Sequence, residues 1–293
     1  MRIGAHVRTS SGLVASVRYA AVVGCECIQI FAKSPLQWRS PRRDRHEVEL
    51  FWDALRHAGI ALAATHGSYL INLASPDDGL WRQSIEALAE EIRLAHVLGA
   101  PAVVTHLGSS AAAREQACER AARGIAAALE AAAELPVMVY VENASGAGNT
   151  VGATSEELIA VAGAVPPGLR HRVAVCLDSC HAHVAGYDLA ADAGWEALLA
   201  PLAGASIRIP LIHANDAMFP SGSHRDRHAC IGEGTIGTDG FGHMMRRCCR
   251  DIGDVIVEMP GTPPEKDALN VERLKAIRRE VEMQAPRPRA ASS

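Results

Sequence analysis

An apolar run that ends on a histidine or a carboxylate recurs along this chain, at Thr65-His66, Val104-Thr105-His106, Val141-Glu142, Leu177-Asp178, Ile212-His213 and Val257-Glu258. The polar ends are separated by 40, 36, 36, 35 and 45 residues. One strand, one helix and two short loops need roughly 30 to 40 residues, so each interval has the length of a βα unit. The clearest case begins at Val173, where Val173, Val175 and Leu177 form the β-branched and aliphatic run of a strand buried on both faces. Asp178 and His181 then fall on a polar loop at its end.

Read in order, the pattern gives further strands at 3–7, 25–31, 60–65, 102–105, 137–141, 206–212 and 255–257. Helical periodicity and cap residues place helices at 13–23, 45–58, 80–98, 111–133 and 155–164, within 195–202, and at 241–250 and 266–282. Thr154 or Ser155 is the expected N-cap of the fifth helix, and Pro136 marks the strand that follows the alanine-rich fourth. Eight βα units make a complete (β/α)₈ TIM barrel of the α/β class, with residues 1–284 as a single domain and 285–293 as a disordered tail.

Composition agrees with a large soluble domain: 48% of the 293 residues are hydrophobic and 21% charged. No apolar run reaches the roughly 18 residues of a membrane helix, and the first residues lead straight into a strand, which gives a cytoplasmic expectation. The eight cysteines include the close pairs Cys25/Cys27 and Cys248/Cys249 and lack C-x-x-C spacing, so they read as reduced thiols. The net charge of −4 argues at first against a polyanionic partner. Three bound divalent cations would reverse that sign and concentrate positive charge on one rim. Only Lys33, Lys266 and Lys275 are lysines among the 29 basic residues.

Barrel strands deliver their C-terminal ends to one face, so His66, His106, Glu142, Asp178, His213 and Glu258 should converge there, joined from loops by His181, Asp226 and His228. Nine donors are too many for one ion with four or five bonds and suit two or three. Mixed imidazole and carboxylate donors favour Zn²⁺ or Mn²⁺ over Ca²⁺ or Mg²⁺. Cys180 lies between ligands in the sequence but is expected to point elsewhere, and His6, His183 and His224 are expected to pack near the rim or support ligands.

The motifs H-G-S-Y-L-I-N-L, V-E-N-A, L-D-S-C-H, H-A-N-D-A, D-R-H and G-E-G-T-I-G, in this order, resemble the endonuclease IV family from Ile3 to about Glu282. The resemblance implies a trinuclear zinc apurinic/apyrimidinic endonuclease. His66, His106 and Glu142 would hold one Zn²⁺; Glu142, bridging beside the attacking hydroxide, would share a second with Asp178, His213 and Glu258. His181, Asp226 and His228 would hold the third, with Mn²⁺ an alternative in one site. The implied reaction of base excision repair cuts double-stranded DNA 5′ to an abasic site, leaving a 3′-hydroxyl and a 5′-deoxyribose phosphate; removal of 3′-blocking groups is a further activity the resemblance allows. A monomer is implied. Gln37, Trp38, Tyr69, Leu70 and Arg227 match DNA contacts, while Leu36 and Met218 stand where the family commonly has basic residues.

Two other classes remain open at this level. A sugar isomerase or epimerase barrel would carry one or two divalent ions on the same rim but would not need Asp226-x-His228 or Tyr69-Leu70. A metal-stabilised lesion sensor would keep the ligands without catalysis.

Overall fold

In the computed structural model, which describes residues 1–40, 42–248, 252–259 and 264–284, eight parallel strands close on themselves. They are β1 (Arg2–Val7), β2 (Cys27–Phe31), β3 (Ala61–His66), β4 (Ala102–Thr105), β5 (Met138–Glu142), β6 (Val173–Asp178), β7 (Leu211–His213) and, after a two-stranded antiparallel ribbon of β8 (Asp216–Ala217) and β9 (His228–Ala229), β10 (Asp254–Val257). Neighbours run β1-β2-β3-β4-β5-β6-β7-β10 and back to β1. The (β/α)₈ reading is therefore correct. The tail 285–293 and the expected helix end at 249–250 lie outside the described residues.

The lumen is filled by Ala63, Ala64, Ala102, Val104, Tyr140, Ala174, Cys176 and Ile256, and the larger apolar cluster lies between the strands and the helices around them. Small lumen residues let the strands approach closely, and Gly4 is the extreme case. A Cβ there would lie 1.6 Å from the Cys27 carbonyl oxygen of the paired strand, so only glycine keeps the β1/β2 register. Cys25, Cys27, Cys118, Cys176, Cys180 and Cys230 are buried free thiols. No described helix is long and apolar enough to cross a membrane.

The surrounding helices are α1 (Leu13–Val23), α2 (Arg45–Ala58), α3 (Asp78–Leu98), α4 (Arg114–Glu130), α5 (Ser155–Ala164), α6 (Ser179–Ala185), α7 (Asp192–Gly204), α8 (Gly237–Cys248) and α9 (Pro264–Gln284). Side-chain caps start several of them, including Asp44 on Glu47 N–H, Asp77 on Leu80 N–H and Thr154 on Glu157 N–H. Two expectations fail. The polar loop after β6 is the short helix α6, because the Asp178 carboxylate accepts the His181 N–H at 2.8 Å and caps it. The seventh strand, expected from Ser206, begins only at Leu211. Ser206 adopts φ 56°, and Pro210 cannot donate to a ladder, so the preceding residues form an irregular approach.

Candidate metal centre

His66, Glu142, Asp178 and His213 are the last residues of β3, β5, β6 and β7, and His106 and Glu258 directly follow β4 and β10. All six therefore reach the C-terminal mouth of the barrel. His181 comes from the first turn of α6, Asp226 from the turn joining β8 to β9, and His228 from β9. All nine sequence-identified donors thus meet on one rim.

Glu142 stands at the middle, with 1% of its side chain exposed. Its Oε2 lies 3.0 Å from His66 Nε2 and 3.3 Å from His106 Nε2, while Oε1 lies 3.1 Å from His213 Nδ1. The two oxygens of one carboxylate thus face two histidine sets. His213 Nδ1 is also 3.2 Å from Glu258 Oε2. On the far side Asp226 Oδ2 is 3.2 Å from His181 Nε2, and Oδ1 is 3.4 Å from His228 Nε2. Donor atoms within 4.8 Å of one another define the groups His66/His106/Glu142, Glu142/Asp178/His213/Glu258, Asp178/His181/His228 and Cys180/Asp226/His228. Such close mixed nitrogen and oxygen donors fit divalent cations of the zinc or manganese type.

Cys180 corrects the expectation that it points away: its Sγ lies 3.9 Å from Asp226 Oδ1 and 3.7 Å from the Arg227 carbonyl, against the third group. The helix at 179–185 turns it inward, which a loop reading could not anticipate.

Six of the donors are fixed from behind. The Nδ1 atoms of His66, His181 and His228 meet the carbonyls of Gly67, Asn143 and Glu258 at 2.9, 3.0 and 2.7 Å, leaving Nε2 toward the cluster. Gln29, not singled out from sequence, presents Oε1 to His213 Nε2 at 2.9 Å and donates from Nε2 to Glu258 Oε1 at 2.8 Å. Its signal was available: one amide inside the apolar run Cys27–Phe31 must find a partner once the strand is buried. His6 Nδ1 also holds Glu258 Oε1 at 2.8 Å. Asn143 and Asn215 fix Asp178, the first accepting its N–H at 2.6 Å and the second donating to Oδ2 at 2.6 Å. His183 instead meets Thr235 Oγ1 at 3.1 Å, and His224 meets the Ser145 carbonyl at 3.2 Å.

Asp216 organises the loop beneath the third group. Its buried carboxylate accepts N–H bonds from Ala217, Gly232, Gly234 and Ile236 at 2.8 to 3.0 Å. A Cβ on Gly234 would lie 2.4 Å from Asp216 Oδ1, which explains a glycine in G-E-G-T-I-G. Asp216→Asn turns an NH₂ against these donors and should cost on the order of 3 kcal/mol, read as a lower urea midpoint; an unchanged midpoint would contradict this role.

Burial alone would push the cluster's histidines down and its acids up, and the opposite charges outweigh it at most of them. Asp178 and the Asp226 hydrogen bond raise His181 to about 10, and Asp226 and Asp178 raise His228 to about 9. Glu142, Glu258 and Asp226 are held well below the ordinary carboxylate range by the surrounding imidazoles. His106 is lowered, because burial there exceeds the pull of Glu142. Without a cation, His181 and His228 therefore carry protons at neutral pH. Their contribution to stability is full below the unfolded value near 6.5 and is lost as pH rises through 9 to 10. Metal must displace those protons, so uptake at pH 7.5 should release about two from this group, and affinity should rise with pH up to about 10. Calorimetry in buffers of different ionisation enthalpy checks this; uptake without proton release would contradict it.

Of the expected DNA contacts, Gln37 and Arg227 are exposed, Leu70 and Trp38 are half-buried, and Tyr69 stands 57% exposed. The Tyr69 ring lies 5.5 Å from Phe31 and 5.9 Å from His66 between centroids, directly at the mouth.

Fold and site place the chain in a recognised class: residues 17–283 match the family described as xylose isomerase-like TIM barrel. Within it the chain is 35% identical over 278 residues to the probable endonuclease 4 of Methanoculleus marisnigri, covering 94% of this chain and 98% of the relative. It superposes on the crystal structure of endonuclease IV from Thermus thermophilus with a TM-score of 0.81 and 34% identity, over 96% of this chain and 100% of that one. A D-tagatose 3-epimerase-like protein, at TM-score 0.73 and 18% identity, shares the fold alone. The chain belongs to the endonuclease IV family.

Proposed function

We propose that this enzyme hydrolyses the phosphodiester 5′ to abasic sites in double-stranded DNA, using three zinc ions. The observation that carries the reading is Glu142 facing His66/His106 with one oxygen and His213 with the other, beside a third group built on Asp226 and His228. A one- or two-ion sugar isomerase has no use for that third group.

The ions, when bound, supply a nucleophile at neutral pH and stabilise charge on phosphorus and on the leaving 3′-oxygen. The chain's own residues do the rest. His66, His106 and Glu142 would hold the first ion; Glu142, Asp178, His213 and Glu258 the second; His181, Asp226 and His228 the third. Gln29 and His6 keep the Glu258 carboxylate turned toward His213, and Asn143 and Asn215 keep Asp178 from rotating away. Preorganised carboxylates need no rearrangement as charge develops. Water adds to phosphorus, the bond to the 3′-oxygen breaks, and the products are a 3′-hydroxyl and a 5′-deoxyribose phosphate. Tyr69 and Leu70, with Gln37 and Trp38, occupy the rim where a side chain can fill the gap left by a missing base, which lowers the cost of unstacking. Arg227, exposed beside the third group, would meet the DNA backbone.

The test is end chemistry: the upstream product should prime a DNA polymerase without further trimming, whereas an unextendable end would exclude this cleavage.

Leu36 and Met218, 72% and 60% exposed, leave the rim without the cations common in the family. Leu36→Arg should tighten duplex binding and steepen the slope of log affinity against log salt by about 0.9 per new phosphate contact. A salt titration by fluorescence anisotropy measures it, and an unchanged slope would place residue 36 away from the DNA.

A further inference from the structure

Lys33 and Glu91 form an ion pair, Nζ to Oε1 3.6 Å, with side chains 1% and 0% exposed. In a chain whose other basic residues are nearly all arginine, this closed space holds a lysine. A compact ammonium with three separately aimed donors fits where a planar guanidinium would not. Burial raises the Glu91 carboxyl to about 7 even with Lys33 beside it, and Glu91 Oε2 has no hydrogen-bond partner among the described residues. A pair this costly to desolvate is a poor stabiliser compared with two apolar side chains of the same size.

Its contacts give it another role. Lys33 Nζ donates to the Trp38 carbonyl at 2.9 Å. Glu91, in the middle of α3, accepts the Ser68 N–H at 3.2 Å. Ser68 Oγ in turn donates to the Pro35 carbonyl at 2.7 Å and accepts the Leu70 N–H at 3.2 Å, while the Tyr69 N–H reaches the same Pro35 carbonyl at 3.1 Å. The pair and Ser68 therefore grip the loop after β2 on both sides of Leu36-Gln37, and the loop after β3 at the base of Tyr69-Leu70. Both loops are tied to one helix through one buried contact.

We propose that Lys33 and Glu91 are positioning residues that lock the two rim loops into a single unit, so that Leu36, Gln37, Tyr69 and Leu70 meet the lesion in fixed relation. This rests on the reading of those loops as DNA contacts, but the coupling itself does not.

The double variant Lys33→Met/Glu91→Met removes both charges and leaves none uncompensated. Measured on the metal-loaded enzyme, it should keep its metal content and its kcat on an abasic duplex while KM rises about tenfold, as expected when positioning rather than chemistry is lost. Amide exchange should quicken together at residues 36–38 and 68–70 and stay slow in the barrel strands. Lys33→Met/Glu91→Gln, which strands no charge and keeps an acceptor for the Ser68 N–H, should recover most of the KM, and Ser68→Ala, which removes the hydroxyl between the two loops, supplies a further variant that should raise KM should the double one fold poorly. An unchanged KM, or exchange that quickens in one loop only or in neither, would overturn the proposal. If the wild type left abasic duplex intact, the functional reading would fall while the exchange result still decided whether the loops are coupled.

Discussion

Glu142→Gln should lower incision of an abasic duplex by at least about a thousandfold while the barrel stays folded. The amide would keep the shape of a residue that is 1% exposed at the end of β5, so packing against its neighbours is retained. What is lost is the second anionic oxygen. Glu142 meets His66 and His106 through Oε2 and His213 through Oε1, and an amide can offer an acceptor to only one of those sets. The expected signature is a variant with normal far-ultraviolet circular dichroism, reduced metal content and a kcat near background. His106→Ala should behave alike, with less cost to folding, because His106 is one-third exposed at the mouth. Turnover near wild type after loss of the carboxylate would sink the assignment.

Metal removal should have the other large effect, and on binding as well as cleavage. The chain carries a net charge of −4, and four carboxylates of the rim cluster would face an approaching polyanion. Charge that sits beside the substrate acts at short range and is weakly screened, unlike surface charge beyond a Debye length of about 10 Å. Dialysis against a chelator should therefore abolish incision and weaken duplex binding by about tenfold or more, both restored by Zn²⁺. Full duplex affinity in the stripped protein would mean that the rim ions play no part in attracting DNA.

The spacing of polar ends along the chain was enough to read the barrel and to bring six candidate donors to one rim, because a βα unit has a narrow length and a parallel strand can end only on one face. Boundaries were lost where backbone chemistry intervened. Pro210 and the left-handed Ser206 hold β7 to three residues, and Asp178 starts a helix in a stretch that composition marks as loop. The expected loop also hid the inward turn of Cys180. Gln29 was missed for a different reason: its strand precedes the first ligand-bearing one, so nothing local tied it to His213 and Glu258. The grip of Lys33 and Glu91 on two loops links residues 58 positions apart and has no period to betray it.

The central claim is that three cations on this rim cut DNA next to a missing base. A 5′-labelled duplex with one synthetic abasic site, incubated with protein of known metal content beside an undamaged control, tests it directly. The expected result is a single cut 5′ to the lesion, an intact control and about three zinc ions per chain. An uncut lesion strand with one or two bound ions would contradict it and point to a sugar-converting barrel instead.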